Sequence, residues 1–265
     1  MVFVENVPPS LRRSRMLALI REREFMRVSD LSRLFGVSEV TVRSDLDALS
    51  TDSGLQRVHG GAVLRTRRRR SEPSVEESET TAASEKAAIG RAAAGMVSSG
   101  ETVILDVGST SAAVARSLVV RDNLEDVVVF TNGLNVALEL EKGVPGLSVV
   151  VTGGTLRPRQ HSLVGPLSDA ILSQINVNTA FIGCNGVHPE EGVTSINLPE
   201  AMVKKMMIRA AQRCVVVADG SKINSISVAK VTGLADVDLV ITGRSAPPEV
   251  IALLREAGTA VEVAD

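Results

Sequence analysis

Aromatic side chains are nearly missing from this 265-residue chain, which has no Trp, no Tyr and five Phe. Without rings for unpaired bases to stack on, a binder of single-stranded nucleic acid is disfavoured. Long apolar runs are missing as well. Hydrophobic residues make up 44% of the chain, yet runs such as Val149 to Val151 fall far short of the roughly 20 residues that cross a bilayer. No membrane partner is therefore expected. With no basic segment leading into an apolar one near Met1, a cytoplasmic location is expected. Cysteine is scarce too. Cys184 and Cys214 are the only two, with no partners at metal-ligand spacing and apolar sequence around each. They are expected to be buried free thiols, and neither a disulfide framework, a metal site nor a cofactor is expected.

Lysine is absent in one region only. Residues 1–70 hold 14 Arg and no Lys against 8 acids, a net +6, whereas residues 71–265 hold 15 basic and 23 acidic groups, a net −8. A basic head on an acidic body points to a polyanion-binding module joined to something else. The join falls in the polar, charge-segregated stretch from Arg65, whose five arginines, Arg65 and Arg67 to Arg70, fit either duplex phosphates or a solvated run. The chain thus divides into a DNA-binding domain at 1–64, a charged linker at 65–83 and an α/β effector and oligomerisation domain at 84–265.

The head reads as three short helices and a hairpin. The first, Ser10 to Arg23, turns Leu11, Met16, Leu17, Leu19 and Ile20 inward. Ser29 caps a second that ends at Phe35, Gly36 makes the turn, and Ser38 caps a third over Glu39 to Leu49. At 100° per residue, Val42, Leu46 and Leu49 share the inward face of this third helix. Val40, Arg43, Ser44 and Asp47 fall opposite, with Thr41 on the flank and Ser38 at the tip. An outward Val40 suits a thymine methyl in the major groove of double-stranded DNA, or is one of the scattered hydrophobes that every surface carries. Downstream, "GLQRVHGGAVL" fits a two-stranded wing that sets Arg57 and His59 beside the DNA backbone.

The body alternates strand and helix. Strands are expected at 102–106, 126–131, 147–152, 179–183, 214–219, 238–242 and 260–263, with helices at 84–98, 110–119, 134–142, 167–173, 199–212 and 247–257. Buried strands alternating with helices predict a mostly parallel sheet covered on both faces. In such a sheet ligands sit outside the carboxyl ends of the strands. Gathered there are Asp106 with Gly108, Ser109 and Thr110, then Thr131, Asn132 and Gly133, then Gly153 and Gly154. Asn185 and Gly186 follow, and the "ADGSK" segment brings Lys222. Glycines admit close backbone approach, hydroxyls donate to phosphate oxygens, and a helix opening at Thr110 adds partial positive charge. The ligand expected is a small sugar or polyol phosphate.

Taken in order, "RVSDLSRLFGVSEVTVRSDLDAL", "LQRVHGGAV", "DVGST", "FTNGL", "TGG", "SLVG", "FIGCNGV" and "ADGSK" resemble the DeoR family of bacterial transcription regulators. The resemblance implies a winged helix-turn-helix joined to a sensor similar to ribose-5-phosphate isomerase. It also implies a repressor controlled by a phosphorylated sugar and assembled as a dimer or tetramer, with Thr41 and Arg43 at operator DNA. Two departures stand out: Ser44 replaces a second arginine, and Gly243 follows Ile241 and Thr242 where the family commonly has an acid. The rival reading is an isomerase-like enzyme, which needs a base and acids for the enediolate. Here Asn185 and Gly186 occupy the acidic positions, and Glu200, at a helix start, is the one remaining candidate base; no catalytic residue is expected. A third reading is a DNA-binding protein indifferent to any effector.

Overall fold

The computed structural model describes residues 8–23, 25–52, 55–58, 61–64, 72–143 and 146–265. The chain forms two compact units, 1–71 and 72–265. Among the described residues no helix is long and apolar enough to cross a membrane.

The smaller unit holds α1 (Pro9–Arg23), β1 (Phe25–Arg27), α2 (Val28–Phe35), α3 (Glu39–Asp52), β2 (Leu55–Val58) and β3 (Gly61–Leu64). Its core joins Met16 and Ile20 of α1 to Leu31, Val42 and Leu46. The inward stripe of α1 is 12–16–20. At its start stands Arg12, whose Nε donates to the buried Asp45 of α3 at 2.6 Å. Leu11, expected in the core, is rotated about 100° from that stripe and is 46% exposed. Ser29 is not the cap of α2. The helix begins one residue before it, after Arg27, because Phe25–Arg27 is drawn into a strand on β3. Gly36 does turn in the left-handed region, at φ 64°. The Oγ of Ser38 accepts from the Thr41 amide at 3.1 Å, capping α3 as expected. With β2 and β3 antiparallel, the three strands stand in the order β1–β3–β2.

The larger unit opens with α4 (Val75–Thr80) and α5 (Ala83–Gly95). Its sheet strands are β4 (Thr102–Leu105), β5 (Val127–Thr131), β6 (Leu147–Val151), β9 (Val177–Gly183), β12 (Ala211–Val217), β14 (Leu239–Thr242) and β15 (Ala260–Val263). Between them lie α6 (Ser109–Val119), α7 (Leu134–Glu141), α8 (Pro166–Leu172), α9 (Leu198–Arg209) and α10 (Pro248–Glu256). The seven strands run in the order β15–β14–β12–β9–β4–β5–β6, every pair parallel. Side chains alternate across the sheet: Ala180 and Ile182 enter one core, and Phe181 between them enters the other. The expected doubly covered parallel sheet is thus present.

Three features depart from the expectation. A hairpin of β7 (Thr155–Arg157) and β8 (Ser162–Val164), and a small sheet of β10 (Gly186–His188), β11 (Gly192–Ser195) and β13 (Ala229–Thr232), lie outside the main sheet. At three or four residues each they are too short to show a period. The stretch read as linker, 65–83, is folded over its second part: Ser74 and Glu77 form a reciprocal capping box that starts α4. Clustered acids there suit the positive N-terminus of a helix as well as they suit a solvated linker.

Candidate functional site

On α3 the outward residues stand as the 100° spacing requires. Val40 is 72% exposed, and Arg43 and Ser44 are exposed beside it. The Arg43 guanidinium donates to Glu39, one turn earlier, at 3.0 Å. Such an exposed pair is weak and exchanges readily for a phosphate or a base edge. Ser38 and Thr41 hold each other through their hydroxyls at 2.9 Å, which fixes the tip of the helix. Arg57 lies in β2 opposite Ala62. His59 and the run Arg65 to Arg70 lie outside the described residues.

In the larger unit the register brings the strand ends level, with Leu105 opposite both Thr131 and Phe181, and Val217 opposite Gly183. At this rim Gly108, at φ 121°, adopts a backbone that a side chain would strain, and opens α6 with no side-chain cap. The first-turn amides therefore face the rim with their partial positive charge. Ser109 and Thr110 are nearly buried, and the hydroxyl of Ser111 is buried with no hydrogen-bond partner.

The neighbouring residues brace this loop from within. Asn132 accepts from the Val107 amide at 3.1 Å and donates to the Leu163 carbonyl at 3.2 Å. The Thr131 hydroxyl accepts from the Gly133 amide at 3.0 Å. A side chain at Gly154 would meet Ser168 Oγ at 2.7 Å and the Val164 carbonyl at 2.8 Å. Packing thus accounts for that glycine without a ligand. Gly153 has open space by comparison, with Leu167 Cβ at 3.9 Å the nearest contact.

Asp106 is the most enclosed acid of the site, with 0% exposure. Its Oδ2 accepts from the Gly183 amide at 3.0 Å and pairs with the Lys204 ammonium, while Oδ1 has no partner. Burial pushes its carboxyl upward in pKa, and Lys204 opposes that push. Burial alone would lower Lys204, but Asp106 and then Glu200 outweigh it and hold the ammonium above the ordinary lysine range. Lys204 was not anticipated. A helical lysine is usually solvated, and only the strand end facing Lys204 gives its burial meaning. Lys222 lies in a one-turn helix after Asp219, whose carboxylate accepts from the Ser221 amide at 3.1 Å.

The rival chemistry meets specific obstacles here. Glu200 occupies the first turn of α9, with its amide capped by Asn197 at 3.1 Å. Its carboxylate is held by Arg157 and by the Ser162 hydroxyl, the latter at 2.5 Å. Its Oε1 is thus already taken by two donors. Asn185 is turned to β11, accepting from the Ile196 amide at 3.0 Å. Burial pushes both thiols, Cys184 and Cys214, up to about 12, well away from reactive thiolates. No group of three metal-ligating side chains occurs among the described residues. The Gly243 departure has a steric partner: a Cβ there would meet the Glu85 carboxyl carbon at 2.4 Å. That carboxylate accepts from the Ser245 amide at 2.6 Å and the Gly220 amide at 3.2 Å.

Comparison with known proteins agrees with this two-part architecture. Residues 12–68 match the DeoR-like helix-turn-helix domain, and residues 81–244 match the DeoR C terminal sensor domain. The putative aga operon transcriptional repressor of Escherichia coli O157:H7 is 34% identical over 253 residues, 95% of this chain and 93% of that protein. The HTH-type transcriptional regulator GolR of Listeria innocua serovar 6a is 31% identical over 257 residues, 97% of this chain and 99% of that one. Among solved structures, a ribose 5-phosphate isomerase from Methanocaldococcus jannaschii is 19% identical over 52% of this chain and 53% of its own, with a TM-score of 0.38. With a DNA-binding helix-turn-helix ahead of a sensor domain, and whole-length relatives that are transcriptional regulators, this chain belongs to the DeoR family of transcription regulators.

Proposed function

We propose that the chain is a repressor of carbohydrate-metabolism genes whose affinity for operator DNA is set by a phosphorylated sugar. The observation that carries this reading is the uncapped start of α6 at Gly108, with the hydroxyls of Ser109 and Thr110 in its first turn. An anion is favoured at such an end. The buried Lys204 and the rim residue Lys222 add positive charge around the same strand ends, and Gly153 leaves room for backbone approach. Asp106, Thr131, Asn132 and Gly154 shape the cradle through the contacts described above, and Asp106 Oδ1, buried without a partner, is an acceptor left for a sugar hydroxyl. Recognition of operator falls to Ser38, Val40, Thr41, Arg43 and Ser44, with Arg57 of β2 and its near neighbour in sequence, His59. A dimer or tetramer presents paired helices to half-sites one helical turn or a multiple apart. The effector then biases two arrangements by its differential affinity for them. The site senses its ligand and does not turn it over, because Glu200 is committed to Arg157 and Ser162.

The test is a thermal-shift screen of the full chain against glucose 6-phosphate, fructose 1-phosphate, ribose 5-phosphate and glycerol 3-phosphate, with inorganic phosphate as control. At 100 times its Kd a ligand adds about 2.7 kcal/mol, a rise of roughly 5–11 °C at 2–4 °C per kcal/mol. The ester that shifts Tm is then titrated against a duplex selected by the full chain from a random library. If no sugar phosphate raises Tm or changes duplex affinity, the effector reading is wrong.

A further inference from the structure

We propose that residues 72–81, including α4, carry the ligand state of the cradle toward the DNA-binding unit, and that the β7–β8 hairpin is what they read. This inference rests on the effector reading above. Along the chain, Glu72 directly follows the last residue of the DNA-binding unit, so this segment lies on the covalent path between the two units.

The hairpin is stitched to the cradle. Leu163 and Asn132 exchange two hydrogen bonds, with the Leu163 amide donating to the Asn132 carbonyl at 2.8 Å and Asn132 Nδ2 donating to the Leu163 carbonyl at 3.2 Å. The first amide of α7, Leu134, donates to the His161 carbonyl at 2.9 Å. The other side of the hairpin grips the segment. The Val75 amide donates to the Arg159 carbonyl at 2.9 Å, and Gln160 Nε2 donates to the Pro73 carbonyl at 3.3 Å. Arg157 bridges Glu72 of the segment to Glu200, the same acid whose charge holds up Lys204 beside Asp106.

The far end of α4 is held in the same manner. The buried Lys86 ammonium donates to the Ser78 carbonyl at 2.5 Å and the Thr81 carbonyl at 2.7 Å, and lies 3.9 Å from Asp219 at the end of β12. Both ends of the helix are thus tied by polar groups, the first end to the β7–β8 hairpin and the far end to Lys86, which lies near Asp219. Apolar anchoring is slight, since Val75 is the single buried residue of this six-residue helix. An element held mainly by polar contacts, with little buried apolar surface, opens at low cost. An anion at the start of α6 bears on the Val107–Asn132 contact and, through Asn132, on Leu163 of the hairpin, whose other strand carries Arg157 between Glu200 and Glu72. A switch needs an element with two arrangements that a ligand biases, and α4 has the exchangeable contacts for one.

Glu72→Ala tests this. The variant cuts the bridge at the segment end, and Arg157 keeps Glu200 as its partner, so the sensor unit folds. The full-length variant and parent are compared by thermal shift with the four sugar phosphates and by titration of the selected duplex with and without them. In the parent the ester changes duplex affinity by at least tenfold, inside the 5–150-fold range typical of coupled sites. In Glu72→Ala the ester still raises Tm as in the parent, but duplex affinity changes by less than twofold. Gln160→Ala, which frees the Pro73 carbonyl, weakens the response in the same direction. If the parent responds and both variants respond equally, the relay is wrong and the effector reading stands. If the parent binds none of the esters, the effector reading fails and the relay falls with it.

Discussion

Replacing Lys204 with Met removes one partner of the most enclosed ion pair in the sensor unit. Asp106 has 0% exposure and Lys204 4%, so solvent screening recovers little of the lost interaction. Breaking a buried pair from one side typically costs about 3–5 kcal/mol, or roughly 6–20 °C in Tm for a unit of this size. The loss depends on pH, and its sign follows from Asp106. With Lys204 gone, burial acts on the carboxyl opposed chiefly by backbone hydrogen bonding, and its folded pKa rises further above the unfolded value of about 3.9. Between those two values the folded state binds more protons than the unfolded one. Stability of the variant therefore falls as pH rises, by up to about 1.4 kcal/mol per unit. The penalty is smaller at pH 5 than at pH 8. In Asp106→Asn/Lys204→Met the buried charge is gone, and the amide oxygen still accepts from Gly183, so much of the stability returns. With no Trp or Tyr in the chain, the assay is urea unfolding followed by far-ultraviolet circular dichroism at both pH values. A Lys204→Met loss below about 1 kcal/mol that is equal at pH 5 and pH 8 would refute the argument, because it would mean that Asp106 is solvated in the folded state.

Three further outcomes follow from the same geometry. Arg43→Ala should cost about 1–3 kcal/mol of affinity for the selected duplex in a titration while leaving the ester-induced Tm shift unchanged; equal duplex affinity would displace α3 as the recognition helix. Ser109→Asp places a carboxylate at the start of α6, where it acts as a cap. It should raise ligand-free Tm slightly and abolish the ester shift, and a retained shift would move the phosphate elsewhere. Gly243→Ala drives Glu85 off the amides of Ser245 and Gly220 and should destabilise the sensor unit by about 1–3 kcal/mol in thermal unfolding; an unchanged Tm would show that Glu85 repositions freely.

The elements legible in the sequence are those whose environment is periodic. Val127 to Thr131 and Cys214 to Val217 are apolar because both sheet faces are covered, so their runs stood out. The outward set on α3 was legible for the complementary reason, since Val42 and Leu46 fix which face is buried and leave Val40 and Arg43 no other place. What stayed hidden depends on long-range pairing. Lys204 and Asp106 are 98 residues apart, and Arg157 and Glu72 are 85 apart. In one dimension each is a lone charge, indistinguishable from a solvated one. The acids of 72–79 read as linker for the same reason: their cations, Arg157, Arg159 and Arg116, all arrive from later elements. Asp106 shows where local chemistry stops being informative. Its place ahead of a glycine–hydroxyl loop marks a strand end, yet its charge is set by Lys204, its position by the Gly183 amide, and its second oxygen is buried without a partner. Beside it, Asn132 accepts from the Val107 amide and donates to the Leu163 carbonyl, and Thr131 accepts from the Gly133 amide, so the loop is braced by residues whose partners lie up to 31 positions away.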